Sequence, residues 1–299
     1  MSYVDIDKAK ANFLALAEEK LSKKVSRLQK KLFELLVLSF SEFLEVQDGL
    51  LKDTSNNLRA SVIVDRVYKT WTEDEHLKVV EGLINDLGDI SKFNSRYYAE
   101  FETGAKFNKL KGLAQGYMLK SIGVSSTGGI LRNGFIDRIL KDVTVKNRVS
   151  QIMENAVVNK APYRDTLRIL KNLIEDTETD GLLQRHYRTF VYDTYQRYSR
   201  IESNFYAVEL GYGAAYYEGS IIQNTRNFCK KRAGKIFTRK EIADWRDEKF
   251  TGKPDNYDPF TDQGGYNCRH GYRWIPNRLA IRKRKDLTLD EKGNLIIKK

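Results

Sequence analysis

The chain has 299 residues, of which 41% are hydrophobic and 31% charged, and its formal net charge is +12. This composition is too apolar for a disordered chain, and the length allows one large or two modest domains with real cores. No apolar run approaches the roughly 20 residues of a membrane-spanning helix, and the first residues lack the basic segment of a signal peptide. We therefore expect a protein that folds in the cytoplasm and meets an anionic partner.

The first half of the sequence is predicted to be helical. It contains none of the four prolines and is rich in good helix formers. Between residues 5 and 51 apolar side chains recur at steps of three and four, which predicts one helix of roughly 70 Å or two helices broken near Gln29 or Ser39. Further helices are predicted over residues 58–69, 77–101, 130–141, 145–159, 163–174 and 182–210.

Two capping boxes predict where helices begin. In each, a threonine hydroxyl accepts from the backbone N–H three residues later, and a glutamate side chain there reaches back to the threonine N–H. Thr72 with Glu75 predicts the start of the helix that runs to residue 101. Thr238 with Glu241 predicts a short helix that ends near Trp245.

The character of the sequence changes after Gly211. Residues with β-propensity, punctuated by glycine, predict short strands over 214–222 and 272–275. Residues 287–289 and 295–297 flank a charged turn and predict a hairpin. The predicted fold class is therefore mainly α, with a long-helix N-terminal region and a small C-terminal α+β module.

One stretch of the second half carries the most specific pattern. An Arg-x-Phe-Cys element at 226–229 is followed by a Gly-Lys-x-Phe turn at 234–237 and a short helix ending in Trp245. After a loop with two prolines, Asn-Cys-Arg-His at 267–270 precedes a strand. This order resembles the C-terminal part of the phage Mu F-like head-morphogenesis family, in which a long helix leads into a small α+β module ending in Cys-Arg-Cys or Cys-Arg-His. The likeness covers residues 145–276, and only its last part is specific at the level of motifs.

The resemblance implies a minor head protein of a tailed phage, a structural component of the virion and not an enzyme. It implies few copies per particle, as a homo-oligomer or ring, and a role in head assembly or genome delivery. The implied partners are the portal, other head proteins and packaged double-stranded DNA, with no membrane. On this basis the chain divides into a helical region of unassigned role (1–142), a Mu F-like domain (143–280) and a basic tail with a hairpin (281–299).

Three soft or borderline metal ligands lie in the loop-rich module: Cys229, Cys268 and His270. A structural zinc ion would staple the loop 249–265, but His186 or an acidic residue such as Asp262 would have to supply a fourth ligand. We prefer reduced, buried cysteines with the histidine as a hydrogen-bonding orienter. A disulfide formed after release from the host is the third alternative. No other cofactor is expected.

Two basic runs flank the module. Seven Lys and Arg residues occur within fifteen positions that hold no acid: Arg226, Lys230, Lys231, Arg232, Lys235, Arg239 and Lys240. A second run follows the predicted strand and includes Arg278, Arg282, Lys283, Arg284 and Lys285. Such runs are often only solvated surface. Two of them in a chain of this net charge predict contact with DNA phosphates, without sequence specificity.

An enzymatic alternative is kept open. The sequence has no HExxH, GxSxG or Walker-type motif, and Cys268 and His270 lack an evident third group that would orient them as nucleophile and base. Carboxylates lie near the basic runs at Asp244, Asp247 and Asp255. The alternative function is therefore a metal-dependent nuclease or a toxin-type effector that uses the cysteine–histidine region.

Overall fold

The structure is a computed structural model that describes residues 3–175 and 182–298, without the side chains of residues 182–193. Across these residues helices make up 62% of the structure, and the strands near the C-terminus form small sheets. The predicted fold class, mainly α with a small C-terminal α+β module, is confirmed. No helix in the described ranges combines the length and the apolar character needed to cross a bilayer.

The described α-helices follow one another closely along the chain. They are α1 (Tyr3–Phe43), α2 (Ala60–Trp71), α3 (Leu77–Ala99), α4 (Ala105–Ser121), α5 (Phe135–Leu140), α6 (Thr144–Val158), α7 (Tyr163–Glu175), α8 (Leu182–Glu209), α9 (Asn227–Lys230), α10 (Arg239–Asp244) and α11 (Asn277–Lys283). The described strands are β1 (Val46–Gln47), β2 (Leu50–Leu51), β3 (Ala214–Glu218), β4 (Ile236–Thr238), β5 (Gly271–Ile275), β6 (Leu287–Leu289) and β7 (Leu295–Ile297).

The chain folds into two compact units, each built from separate segments. Unit 1 comprises Met1–Ala15, Leu87–Gly129 and Tyr192–Lys299, and unit 2 comprises Leu16–Asp86 and Ile130–Val191. The domain boundaries predicted at residues 142 and 280 stay predictions.

Helix α1 is continuous from Tyr3 to Phe43, so the predicted break near Gln29 or Ser39 does not occur. The helix ends earlier than predicted because residues 46–51 form the hairpin β1–β2. Asp48 and Gly49 both take positive φ, at 50° and 78°, as a two-residue hairpin turn requires. The Asp48-Gly49 pair is the sequence signal for this turn. It was overlooked because the apolar side chains continue their helical spacing as far as Leu51.

The first predicted capping box is wrong. Thr72 lies in the right-handed helical region and continues from α2 into a π-helical turn over Thr72–His76, which leads directly into α3. No helix therefore begins at Thr72, because the helical backbone continues through it. In unit 2, α2 packs on α6 and α6 packs on α7. The indole Nε1 of Trp71 donates to the Leu28 carbonyl at 3.1 Å.

In unit 1 the three-stranded antiparallel sheet has the order β4-β3-β5. Strand β3 is its centre, pairing Ala215 with Phe237 on one side and with Trp274 on the other. The second capping box is confirmed, since Thr238 and Glu241 bond reciprocally at the start of α10. The predicted C-terminal hairpin is confirmed as β6–β7.

Polar contacts join α3 to α8 within unit 1. Buried Glu202 accepts from Ser91 and, at 2.7 Å, from the Asn94 amide. The Tyr98 hydroxyl donates to the Ser203 carbonyl at 2.8 Å, and its ring stacks on Tyr206 at 4.7 Å. These contacts fix the register of α8, from which one arginine of the site extends.

A carboxyl pair lies at the end of β3. Burial and a hydrogen bond with Asp7 raise the pKa of Glu218 to about 8. Burial acts against ionisation of Asp7, but Lys10 (3.6 Å), the Glu218 hydrogen bond and Arg273 outweigh it and lower the pKa of Asp7. The proton of the pair therefore resides on Glu218, whose carboxyl group also pairs with Arg273.

This arrangement predicts a pH-dependent stability. The folded chain keeps a proton on Glu218 that the unfolded chain releases above its ordinary pKa of 4.5, so the unfolding free energy should fall between pH 4.5 and about 8. In Glu218→Gln the slope in that window should be smaller by up to about 1.4 kcal/mol per pH unit, the value for one proton. Urea denaturation over a pH series measures it. The exposed Glu209→Gln should keep the wild-type slope, and an unchanged slope in Glu218→Gln would contradict the assignment.

Candidate functional site

The two cysteines and one histidine of the motif region meet in the core of unit 1. All three are buried, and their ligand atoms lie within 4.8 Å of one another. The Sγ atoms of Cys229 and Cys268 are 3.9 Å apart, and His270 Nδ1 lies 3.9 Å from Cys268 Sγ. Both cysteines are free thiols. We call these three side chains the thiol–imidazole cluster.

Cys229 is positioned by the short helix α9. Its N–H donates to the Arg226 carbonyl at 3.0 Å, which closes the first turn. The Arg226 guanidinium donates to the Gly264 carbonyl at 3.2 Å and to the Tyr266 carbonyl at 2.7 Å. One residue of the motif thus ties α9 to the loop that leads to Cys268.

Cys268 and His270 are positioned by a buried arginine from α8. Arg200 donates to the carbonyls of Cys268 and His270, the latter at 2.8 Å, and to the Thr261 carbonyl at 3.3 Å. These carbonyls belong to irregular backbone, so without Arg200 they would be buried without partners. Arg200 therefore fixes the direction in which the cysteine and the histidine point.

Two further residues enclose the cluster. The Tyr217 hydroxyl lies 3.2 Å from Cys229 Sγ and 3.9 Å from Cys268 Sγ, and its ring stacks on the His270 imidazole at 5.3 Å. Gly264 closes another side, because a Cβ there would lie 2.8 Å from Cys268 Sγ and closer still to Cys229 Sγ. Only a residue without a side chain fits against both sulfurs.

The electrostatics of the cluster favour one ionised thiol. The contact with Cys268, together with burial, raises the pKa of Cys229. The hydrogen bond from Cys229, with others from His270, outweighs burial and lowers the pKa of Cys268. Burial and the two cysteines raise the pKa of Tyr217, which stays a neutral phenol. The contact between the two sulfurs therefore leaves Cys268 with the lower pKa of the pair.

Other predicted ligands lie elsewhere. The Asp262 carboxylate accepts from the Asp258 N–H at 2.8 Å and lies 3.8 Å from Arg197, and it is not part of the cluster. The side chain of His186 lies outside the described residues. Among the side chains that the structure describes, the thiol–imidazole cluster is the one group with metal-ligand geometry, so the carboxylates proposed for a nuclease do not form such a group.

Four of the predicted DNA-contacting residues have partners inside unit 1. Arg226 binds the loop carbonyls described above. Arg232 lies buried between the rings of Phe228 (3.7 Å) and Trp245 (4.3 Å) and pairs with Glu248. Both guanidinium groups thus have partners within unit 1, and their contact with DNA stays a prediction.

Arg239 and Arg284 are also engaged internally. Arg239 donates to the Tyr212 carbonyl at 3.0 Å and lies 4.1 Å from the Trp274 ring, and burial lowers its pKa to about 10. Arg284 binds both carboxylate oxygens of Glu241 at 2.6 and 2.8 Å and donates to the Ile236 carbonyl at 3.0 Å. These bonds bring the second basic run beside the first.

Arg278 of the second run is exposed, and so are the seven other predicted DNA-contacting residues: Lys230, Lys231, Lys235, Lys240, Arg282, Lys283 and Lys285. Within the part of the chain that the structure describes, none of them forms an ion pair with a carboxylate. Arg284 of the second run bonds to Ile236 and Glu241, which lie next to Lys235 and Lys240 of the first run. The exposed basic residues of the two runs therefore lie in one region of unit 1. We call the seven predicted DNA-contacting residues among them the basic surface.

Sequence reasoning missed the residues that shape the cluster. Tyr217 was assigned to a strand without a role, and Gly264 was one of two adjacent loop glycines. Arg200 falls within the helix predicted over residues 182–210, and no local pattern marks it as a residue of the site. The adjacent Gly264-Gly265 pair next to a cysteine motif was the one available signal, since glycine repeatedly marks close approach.

Comparison of the chain with protein-family models, with curated proteins and with solved structures finds no match in any of the three.

Because Gly264 packs against both sulfurs, adding a methyl group at this position is expected to destabilise the fold. Gly264→Ala should lower the unfolding free energy by about 1–3 kcal/mol, because the Cβ would overlap both sulfurs in a packed site. Gly112→Ala is the matched control: this glycine lies inside α4 with nothing within 4 Å of a built Cβ, so the change should stabilise by roughly 0.5–1 kcal/mol. Urea denaturation at neutral pH compares them. Equal effects of the two substitutions would refute the close packing.

Proposed function

We propose that the chain is a minor head protein of a tailed phage, a structural component associated with the portal and with packaged DNA. The observation that carries the proposal is the motif order from Arg226 to His270, which resembles the phage Mu F-like family. The motif residues lie together: Cys229 and Cys268 share one cluster, and Arg226 binds the loop between them. A module closed in this way suits an architectural role better than a catalytic one.

The burial of the cluster also supports a structural role. A nucleophilic cysteine must be reached by its substrate, whereas Cys229 and Cys268 are 2% and 3% exposed. The side chains around them belong to the packed core that holds Phe228, Trp245 and Trp274. The polar groups of this region therefore serve the fold of the module.

The basic surface supports contact with packaged DNA. Its seven side chains are exposed and, within the described residues, free of carboxylate partners, while the internal arginines already bind carboxylates, carbonyls or rings. Free cations attract phosphates by releasing condensed counterions, which gives salt-sensitive binding without sequence preference. We place the DNA-binding surface of unit 1 there.

The proposed partners are the portal, other head proteins and further copies of the chain in the virion. The test is the protein content of particles from the phage that encodes the chain. Mass spectrometry of purified virions and procapsids should detect the chain at a small fraction of the major capsid protein. Absence from both kinds of particle would overturn the proposal.

The DNA contact predicts a charge-dependent affinity. Replacing Lys230, Lys231, Lys235 and Lys240 together by glutamine should leave stability unchanged and lower the slope of log affinity against log salt by up to about 3.6, at about 0.9 per phosphate contact. The measurement is fluorescence anisotropy with a duplex of arbitrary sequence at several salt concentrations.

Two controls make this test specific. Replacing the exposed Lys20, Lys24, Lys31 and Lys69 by glutamine removes the same charge and should leave the slope nearly unchanged. Arg232→Gln should lower the unfolding free energy and not the affinity of the folded fraction. Equal loss in both lysine sets would indicate general attraction and contradict the basic surface. Plasmid cleavage with Mg²⁺ or Zn²⁺ that His270→Ala abolishes would favour the nuclease alternative.

A further inference from the structure

The thiol–imidazole cluster has the spacing of a metal site. Two thiolates that each lie about 2.3 Å from a tetrahedral zinc ion are roughly 3.8 Å apart. The Sγ atoms of Cys229 and Cys268 are 3.9 Å apart, and the imidazole Nδ1 lies at the same distance from Cys268 Sγ. One ion could therefore contact all three side chains with small displacements.

The hydrogen bonds of the cluster are incomplete without such an ion. His270 is 5% exposed, its Nε2 has no partner, and its Nδ1 has only a sulfur contact at 3.9 Å. A buried imidazole with no better partner loses the bonds that it made in water. Coordination of Nδ1 to a cation would offset the part of that cost that belongs to Nδ1, whereas Nε2 would keep no partner among the described residues.

Tyr217 and Gly264 border the space next to the two sulfurs. The Tyr217 hydroxyl lies 3.2 Å from one sulfur and 3.9 Å from the other, which is close to the roughly 3.5 Å between an oxygen and a sulfur ligand of one zinc ion. This oxygen, or a water molecule beside it, completes a tetrahedron with two sulfurs and one nitrogen. Gly264 allows no side chain to enter the space beside the sulfurs.

A disulfide accounts for less of this arrangement. It would join the two sulfurs at about 2.05 Å and leave the imidazole and the phenol without partners in the same buried space. A metal ion uses all four polar groups. We propose that Cys229, Cys268 and His270 bind one divalent cation of the zinc type, with the Tyr217 hydroxyl at or next to the fourth position.

The ion would join three parts of unit 1. Cys229 belongs to α9, Cys268 lies in the irregular segment 248–270, and Tyr217 belongs to the central strand β3. Binding requires both sulfurs as thiolates, so any thiol proton that remains in the cluster is released to solvent. The role is structural and does not depend on the proposed place of the chain in a phage head.

Cobalt titration of the reduced full-length protein tests the site. Because the sequence has two cysteines and both lie in the cluster, any thiolate-to-cobalt charge-transfer absorption reports this site alone. We expect saturation at one Co²⁺ per chain, displacement by Zn²⁺, and a rise in melting temperature when either metal is present. Cys268→Ser should lose about half of the charge-transfer intensity per bound metal and bind at least tenfold more weakly.

The tyrosine gives a milder variant that preserves the core. Tyr217→Phe removes only the hydroxyl and should weaken Co²⁺ binding about 10–100-fold while keeping the thiolate absorption. Tyr272→Phe is the matched control, since its hydroxyl donates to the Pro259 carbonyl at 2.8 Å, and it should bind Co²⁺ like the wild type.

Three results would overturn the proposal, and none of them depends on a variant. The first is the absence of a charge-transfer band in folded, reduced wild-type protein. The second is a melting temperature that Zn²⁺ does not change. The third is isolation of the protein from reducing cytoplasm with both cysteines in a disulfide. The virion test addresses the proposed function separately, so either proposal can fail alone.

Discussion

The need to satisfy backbone carbonyls in the irregular segment 248–270 governs the structure of the module. This segment contains no helix or strand, so its peptide groups have no ladder partners. Arg200 and Arg226 supply most of the missing donors and bind five carbonyls between Thr261 and His270. Tyr272 adds a bond to the Pro259 carbonyl. The cluster forms because these donors fix the segment against α8 and α9.

The need for internal hydrogen-bond donors also divides the basic residues of the module into those with partners inside unit 1 and those exposed to solvent. Arginine supplies several donors in a fixed planar fork and stacks on rings, and Arg226, Arg232, Arg239 and Arg284 bind carbonyls, carboxylates or rings within unit 1. Lysine carries a more strongly hydrated point charge, and Lys230, like the other lysines of the basic surface, stays in water. The net charge therefore overstates the surface available to a polyanion. Charge counting along the sequence gave equal weight to both classes.

Much of the helical architecture could be predicted from the sequence because it depends on local information. The apolar period located α1, α6, α7 and α8 to within a few residues, apart from the C-terminal end of α1. The capping box at Thr238 was predictive because a strand ends there, so the chain needs a new helix start. The same residue pattern at Thr72 failed, because α2 and α3 are continuous through a π-helical turn and leave no free helix end to cap.

Only some of the residues that meet at the thiol–imidazole cluster could be predicted from the sequence. The motif suggested that Cys229, Cys268 and His270 act together, and they do lie together. The contributions of Tyr217 and Gly264 depend on the pairing of β3 with β5 and on the path of a loop, which no local pattern encodes. The four internal arginines illustrate the same limit, because tertiary packing and not the local sequence decides which partners they bind.

These observations divide the module into an internal framework, which is the thiol–imidazole cluster with the internal arginines, and an exposed part, which is the basic surface. The thiol–imidazole cluster and the internal arginines hold the irregular segment 248–270 in one conformation. The bonds of Arg284 to Ile236 and Glu241 keep the two basic runs adjacent. An electrostatic surface gains affinity from such rigidity, because its side chains need not be gathered when the polyanion arrives. If the basic surface binds DNA as proposed, the cysteines and the histidine of the motif contribute to that contact indirectly, because they fix the backbone from which the exposed basic side chains extend.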